Sequence, residues 1–97
     1  MPFLILARIA SGVSTEQVLP YIKAEAEAVW QCYAAEIVRS FYYIADMSGA
    51  VLLCEASDLQ AMQAIAAEFP MAKAGVLAFE ILPLKSYTGL ATLFAQS

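Results

Sequence analysis

Three segments of this chain are apolar at almost every position: Phe3-Leu4-Ile5-Leu6-Ala7, Val51-Leu52-Leu53-Cys54 and Leu77-Ala78-Phe79-Glu80-Ile81-Leu82. Their length and composition mark them as strands, and a strand with one wet face would alternate apolar and polar residues. These hardly alternate, so both faces of the sheet they build must be covered. Only two stretches have helical periodicity, enough for one face of a small sheet. The simplest cover for the other is a second copy of the chain, which predicts a dimer with a shared apolar interior.

Ninety-seven residues make one domain with a single core. The hydrophobic fraction of 62% exceeds what so small a monomer can hide, which again favours self-association. No apolar run approaches the ~20 residues of a membrane span, and Met1 leads directly into a strand, so neither a membrane segment nor a signal peptide is expected. The net charge is −4 and the five cations, Arg8, Lys23, Arg39, Lys73 and Lys85, are scattered. Nucleic-acid binding needs clustered cations to displace counterions and is not expected. Cys32 and Cys54 lack CxxC spacing and read as small buried hydrophobes in a reducing cytoplasm.

Along the chain, residues 2–10 form the first strand and Ser11-Gly12-Val13 turns it. Ser14-Thr15-Glu16-Gln17 matches a capping box. The helix it opens carries Val18, Ile22, Ala26, Val29 and Tyr33 on one stripe, with Lys23, Glu27 and Gln31 opposite. Pro20 falls early enough for the first turns to absorb it, and the helix ends near Ala35. Val38 to Asp46 reads as a second strand, Met47-Ser48-Gly49 as a turn and Ala50 to Glu55 as a third strand. Ser57-Asp58-Leu59-Gln60 is a second capping box, and the helix after it stops at Pro70. Residues 71–76 connect to a last strand, Leu77 to Leu84. Residues 87–97 form an apolar tail, with Tyr87, Leu90, Leu93 and Phe94, able to fold as a short helix on a partner subunit. The order β-α-β-β-α-β over residues 1–86 predicts an α+β, ferredoxin-like sandwich with a four-stranded antiparallel sheet. Two such sheets packed face to face give a dimeric α+β barrel around a mostly apolar cavity.

Residues 69–84, Phe-Pro-Met-Ala-Lys-Ala-Gly-Val-Leu-Ala-Phe-Glu-Ile-Leu-Pro-Leu, resemble the last third of small proteins of the muconolactone isomerase-like family. Tyr87-Thr88-Gly89, and the strand Arg39-Ser40-Phe41-Tyr42-Tyr43 before a Ser-Gly turn, fit the same family, and the similarity runs over about residues 2–90. The resemblance implies a dimeric ferredoxin-like barrel, assembled further in some members. Members with isomerase activity carry a basic or His residue in the first strand and an acidic residue well inside the first helix. Here the first-strand positions are Leu4 and Leu6, and the chain has no histidine. The resemblance therefore implies the fold more strongly than the reaction.

Without histidine, a Ser-His-Asp or Cys-His arrangement and the usual His-containing metal shells are excluded, and no Gly-rich phosphate loop follows a strand. No metal or cofactor is expected. Proton transfer near neutral pH would fall to a carboxylate, Lys or Tyr with a shifted pKa. The candidates are charges and hydroxyls within apolar strands. Arg8 shares a strand face with Leu4 and Leu6, and Glu80 shares one with Ala78 and Leu82. The two form either a proton-handling pair in an apolar cleft or a structural ion pair at a dimer interface. Glu80 and Tyr42 are the candidate catalytic groups, and Arg8, Lys73 and Trp30 the candidate ligand contacts. For Tyr42 and Trp30 the alternative is plain packing, and for Lys73 a solvated loop. Glu16, Glu25, Glu27, Glu36 and Glu68 read as solvated helix surface. The expected function is binding of a small, mostly apolar or aromatic molecule in the dimer cavity. The enzymatic form would be a cofactor-free isomerase or a related oxygenase or lyase, and the alternative a structural or ligand-sensing oligomer.

Overall fold

The computed structural model describes residues 1–95; the last two residues of the expected tail lie outside them. Strand β1 (Pro2–Ile9) is followed by a one-turn helix α1 (Thr15–Val18), a 3-10 turn (Leu19–Tyr21) and helix α2 (Ile22–Ala34). Strands β2 (Val38–Tyr43) and β3 (Gly49–Glu55) form a hairpin, then come α3 (Leu59–Ala67), the single turn α4 (Pro70–Lys73) and β4 (Leu77–Pro83). The sheet order is β2-β3-β1-β4, with every neighbouring pair antiparallel. This is the expected α+β, ferredoxin-like arrangement.

The boundaries differ from expectation where backbone chemistry intervenes. Pro20 does not ride inside one long helix. It has no N–H to close an i−4 bond, and the chain passes through a 3-10 turn there before α2 starts afresh. At the start of α1, Gln17 Oε1 accepts from the Ser14 amide at 2.8 Å, as the capping pattern requires. At α3 the cap is Asp58 and not Ser57: its Oδ1 accepts from the Ala61 amide at 2.8 Å. Helix α2 ends without glycine because Glu36 takes the left-handed conformation (φ 63°). The Ile37 and Glu36 amides then donate to the Cys32 and Tyr33 carbonyls at 2.8 and 3.0 Å, which closes the helix end. Strand β2 ends at Tyr43, short of Asp46, because Asp46 is taken up by the turn, where its Oδ1 accepts from the Ser48 amide at 2.9 Å. Gly49 is required on the returning strand, since a Cβ there would collide with the Ala7 carbonyl oxygen.

Antiparallel register assigns the faces. Phe3, Ile5 and Ala7 of β1 are buried and point toward the helices, together with their partners Cys54, Leu52 and Ala50. Leu4, Leu6 and Arg8 point away, opposite Leu53, Val51 and Gly49 on one side and Leu82, Glu80 and Ala78 on the other. No element of the described chain covers that second face, and Leu53 and Leu82 lie exposed on it. The core sits under α3, where Met62, Ala66 and Phe69 meet Phe3, Ile5, Val38, Leu52 and Cys54. Burial, with Cys32 beside it, pushes the Cys54 thiol up to about 11, so it serves as a small apolar side chain there.

After β4 the chain forms a 3-10 turn (Gly89–Leu93) in place of the expected short helix, and Tyr87, Leu93 and Phe94 are each more than 70% exposed. The radius of gyration is 15.8 Å, against about 12.5 Å for a compact chain of this length, as a projecting tail would give. Among the described residues no helix is long and apolar enough to cross a membrane.

Candidate ligand cavity

The two helical layers rest on the sheet differently. Helix α3 buries Met62 and Ala66, whereas α2, despite its apolar stripe, buries nothing. The cause lies in the floor beneath it. Ala7 of β1 stands beside Ala50 of β3, and the helix contributes Ala26 above them. Small residues on both sides leave a cavity of about 740 Å³ between α2 and the sheet. Val18, Ile22 and Val29 line its roof, and Ile9, Leu52 and Phe79 its floor. Trp30, Phe41, Tyr43 and Met47 stand at its mouth, and each is about half exposed or more. Tyr33 joins two of these rings, 5.9 Å from Trp30 and edge-on to Phe41 at 5.5 Å.

One carboxylate enters this apolar space. Glu25 lies on the inner side of α2 and lines the cavity, half-buried. Its Oε1 accepts from the Met71 amide of α4 at 3.0 Å. Burial pushes its pKa upward, and the Met71 hydrogen bond opposes that only in part. The reading of Glu25 as solvated surface is therefore corrected. The signal was present in the spacing: Glu25 lies three residues after Ile22 and four before Val29, on the apolar stripe itself.

The five residues singled out from the sequence separate into three places. Trp30 stands at the mouth of the cavity, whereas Tyr42, whose strand borders the same space, pairs with Val51 and so shares the open face of the sheet with Leu6. Arg8 and Glu80 lie together on the opposite, open face of the sheet, one diagonal step apart, because Arg8 pairs with Ala78 and Leu6 with Glu80. Among the described residues the ion pairs are Met1 with Glu55 and Lys73 with Glu68, so Arg8 and Glu80 do not bridge within one chain. Lys73 sits on α4, 2.8 Å from the Glu68 carboxylate, with both side chains largely exposed. A second, shallower cavity of about 310 Å³ beside α3 and β4, bordered by Gln63, Ala66 and Ile81, has no ionisable residue in its lining. Among the described residues no group of three or more His, Cys, Asp or Glu could hold a metal ion. What the larger cavity offers chemically is one carboxyl group of raised pKa in an apolar chamber, a setting for acid–base chemistry on a carbon- or oxygen-bound proton.

No family model matches the chain, and no curated protein matches its sequence. Solved structures do match. 5-Chloro-2-hydroxyhydroquinone dehydrochlorinase (TftG) from Burkholderia phenoliruptrix AC1100, solved in complex with 2,5-dihydroxybenzoquinone, superposes with a TM-score of 0.76 at 20% identity, over 92% of this chain and 98% of that one. Muconolactone isomerase superposes with a TM-score of 0.72 at 12% identity, over 91% and 92% of the two chains. Rv0793 from Mycobacterium tuberculosis gives 0.54 at 19% identity, over 91% and 99%. Identities this low speak for the fold. The chain has the muconolactone isomerase-like fold, as the resemblance read over residues 2–90 implies.

Proposed function

We propose that the protein binds a small, mostly apolar molecule in the cavity under α2 and moves a proton on it without a cofactor, with Glu25 as the acid–base group. The observation that carries this reading is the position of Glu25, among the described residues the one formally charged side chain lining an apolar cavity large enough for a small-molecule ligand. A carboxylic acid whose pKa is raised can hold a proton at a pH where an ordinary surface glutamate has lost it. In its ionised form it is the stronger base for the same reason. Such a group serves isomerisation and elimination alike, since each begins by removing a proton next to an electron-withdrawing centre. That an isomerase and a dehydrochlorinase share the fold is in keeping with this chemistry. Tyr43 and Thr15, which also border the space, have hydroxyls to orient a polar substituent.

The reading places two chains sheet to sheet. The face bearing Leu4, Leu6, Val51, Leu53 and Leu82 is too apolar to be left to water, and a second copy would cover it with the same residues. The tail, with Tyr87, Leu93 and Phe94 exposed, would then pack on a partner subunit. Arg8 and Glu80 would meet their counterparts within that interface and would not handle substrate. We place the protein in the cytoplasm, where its two free cysteines would stay reduced.

Native mass spectrometry of the purified protein, with a panel of small ring compounds added, tests oligomer and ligand together. The expected result is an oligomer that retains ligand, and loses it in Ala26→Trp, which fills the cavity from its roof without touching the open face. An oligomer that retains none of the compounds would leave a structural role as the better reading.

A further inference from the structure

The charge around the cavity under α2 is one-sided. Among the described residues that line it, Glu25 is the only one with a formal charge, and no Lys or Arg is present. Arg8 lies on the opposite face of the sheet, and Lys73 is paired with Glu68. An anionic ligand would give up its hydration on entry and find a carboxyl group in place of a counter-charge.

The dimensions add a second restriction. A cavity of ~150 Å³ lined by aliphatic and aromatic side chains holds one benzene ring. The space here, about 740 Å³, is several times larger. Its mouth is framed by flat surfaces, Trp30 and Phe41, held by Tyr33 between them. Rings are the natural complement of such walls, through stacked or edge-on contact.

We propose that the cavity takes a neutral, planar molecule of two or three fused rings, bearing a hydroxyl or carbonyl that reaches Glu25, and turns away the carboxylate of the same ring system. A ligand hydroxyl donates to the Glu25 carboxylate, or the protonated acid donates to a ligand carbonyl; both arrangements satisfy the carboxyl group. This substrate class rests on the reading of the Glu25 cavity as the ligand site.

The test is calorimetric titration of the full-length oligomer, near neutral pH, with three probes: 2-naphthol, 2-naphthoate and phenol. Tighter binding of 2-naphthol than of either other probe, by about tenfold or more, is the expected result. Glu25→Lys should invert the preference in favour of 2-naphthoate, and Glu25→Gln, which keeps the size and the acceptor for Met71, should narrow it from the anionic side. Ala26→Trp should abolish binding of 2-naphthol, with circular dichroism confirming that each variant is folded. If 2-naphthoate binds wild-type protein as tightly as 2-naphthol, or phenol does, the substrate class is overturned while the cavity stands as the site. If 2-naphthol binds Ala26→Trp as it binds the wild type, or binds neither, the cavity reading falls and the substrate class with it.

Discussion

A carboxyl group half-buried among apolar side chains ionises less readily than one in water, and a single hydrogen bond from the Met71 amide does not make up the difference for Glu25. Its pKa is therefore higher in the folded chain than in the unfolded one. Below the unfolded value both states hold the proton and stability is unaffected. As pH rises between the two values the unfolded chain ionises first, so stability falls, and above the folded value the loss is complete. Gln at this position keeps the acceptor and removes the charge. Glu25→Gln should then melt at a higher temperature than wild type near neutral pH, with the difference closing in acid, as thermal melts across a pH series would show. Parallel curves at every pH would mean that Glu25 is as well solvated as a surface glutamate. At this scale the sequence was partly legible. The stripe through Ile22, Ala26 and Val29 points inward as its periodicity predicts, and Glu25 sits on the same stripe. Residue type alone argued for solvent; position argued for the interior, and position decided. Arg8 and Glu80 share the sheet face that the single chain leaves bare, as alternation along the first and last strands predicts, and Trp30 borders the cavity under α2.

Helices α2 and α3 look alike in sequence, since each carries one apolar stripe. Only α3 is packed. Met62 is fully buried, and Met62→Ala should cost about 2–5 kcal/mol in denaturant unfolding, the usual range for truncating a well-packed core residue. Val29 of α2 already borders open space, so Val29→Ala should cost no more than about 1 kcal/mol. Equal costs would show that the cavity is closed in solution. Periodicity reports which side of a helix faces inward and says nothing of how far the helix stands from the sheet. That distance is set by side chains remote in sequence, chiefly Ala7 and Ala50 on the floor, which no local pattern connects to α2. The break at Pro20 and the shift of the α3 cap to Asp58 have the opposite character. Both follow from the local chemistry of a single residue, the missing N–H of Pro20 and the side-chain carboxylate of Asp58, and both were readable in principle from the residue itself.

For the whole molecule, the open face of the sheet is the feature that asks for a partner. Leu6 and Leu53 lie on it, away from the core, so lysine at both positions should leave the individual chain folded. In a sheet-to-sheet dimer the same change would place two buried charges against their copies, and Leu6→Lys/Leu53→Lys should dissociate it. Light scattering at micromolar concentration should find the wild type as a dimer or larger and the double variant as a monomer. A monomeric wild type would remove the assembly altogether. Two-sided apolar strands were enough to anticipate this face, because they record a requirement of the sheet and not of any one neighbour.

The loose seating of α2 carries one more consequence. Most of the core lies under α3, and the cavity lies under α2, with Ala7, Leu52 and Met71 belonging to both. If the cavity is the ligand site we propose, a lineage built on this domain could exchange Ile22, Ala26 or Val29 and so change its guest while leaving the residues under α3 untouched. Its ability to stay folded and its freedom to change diet would then be inherited largely apart.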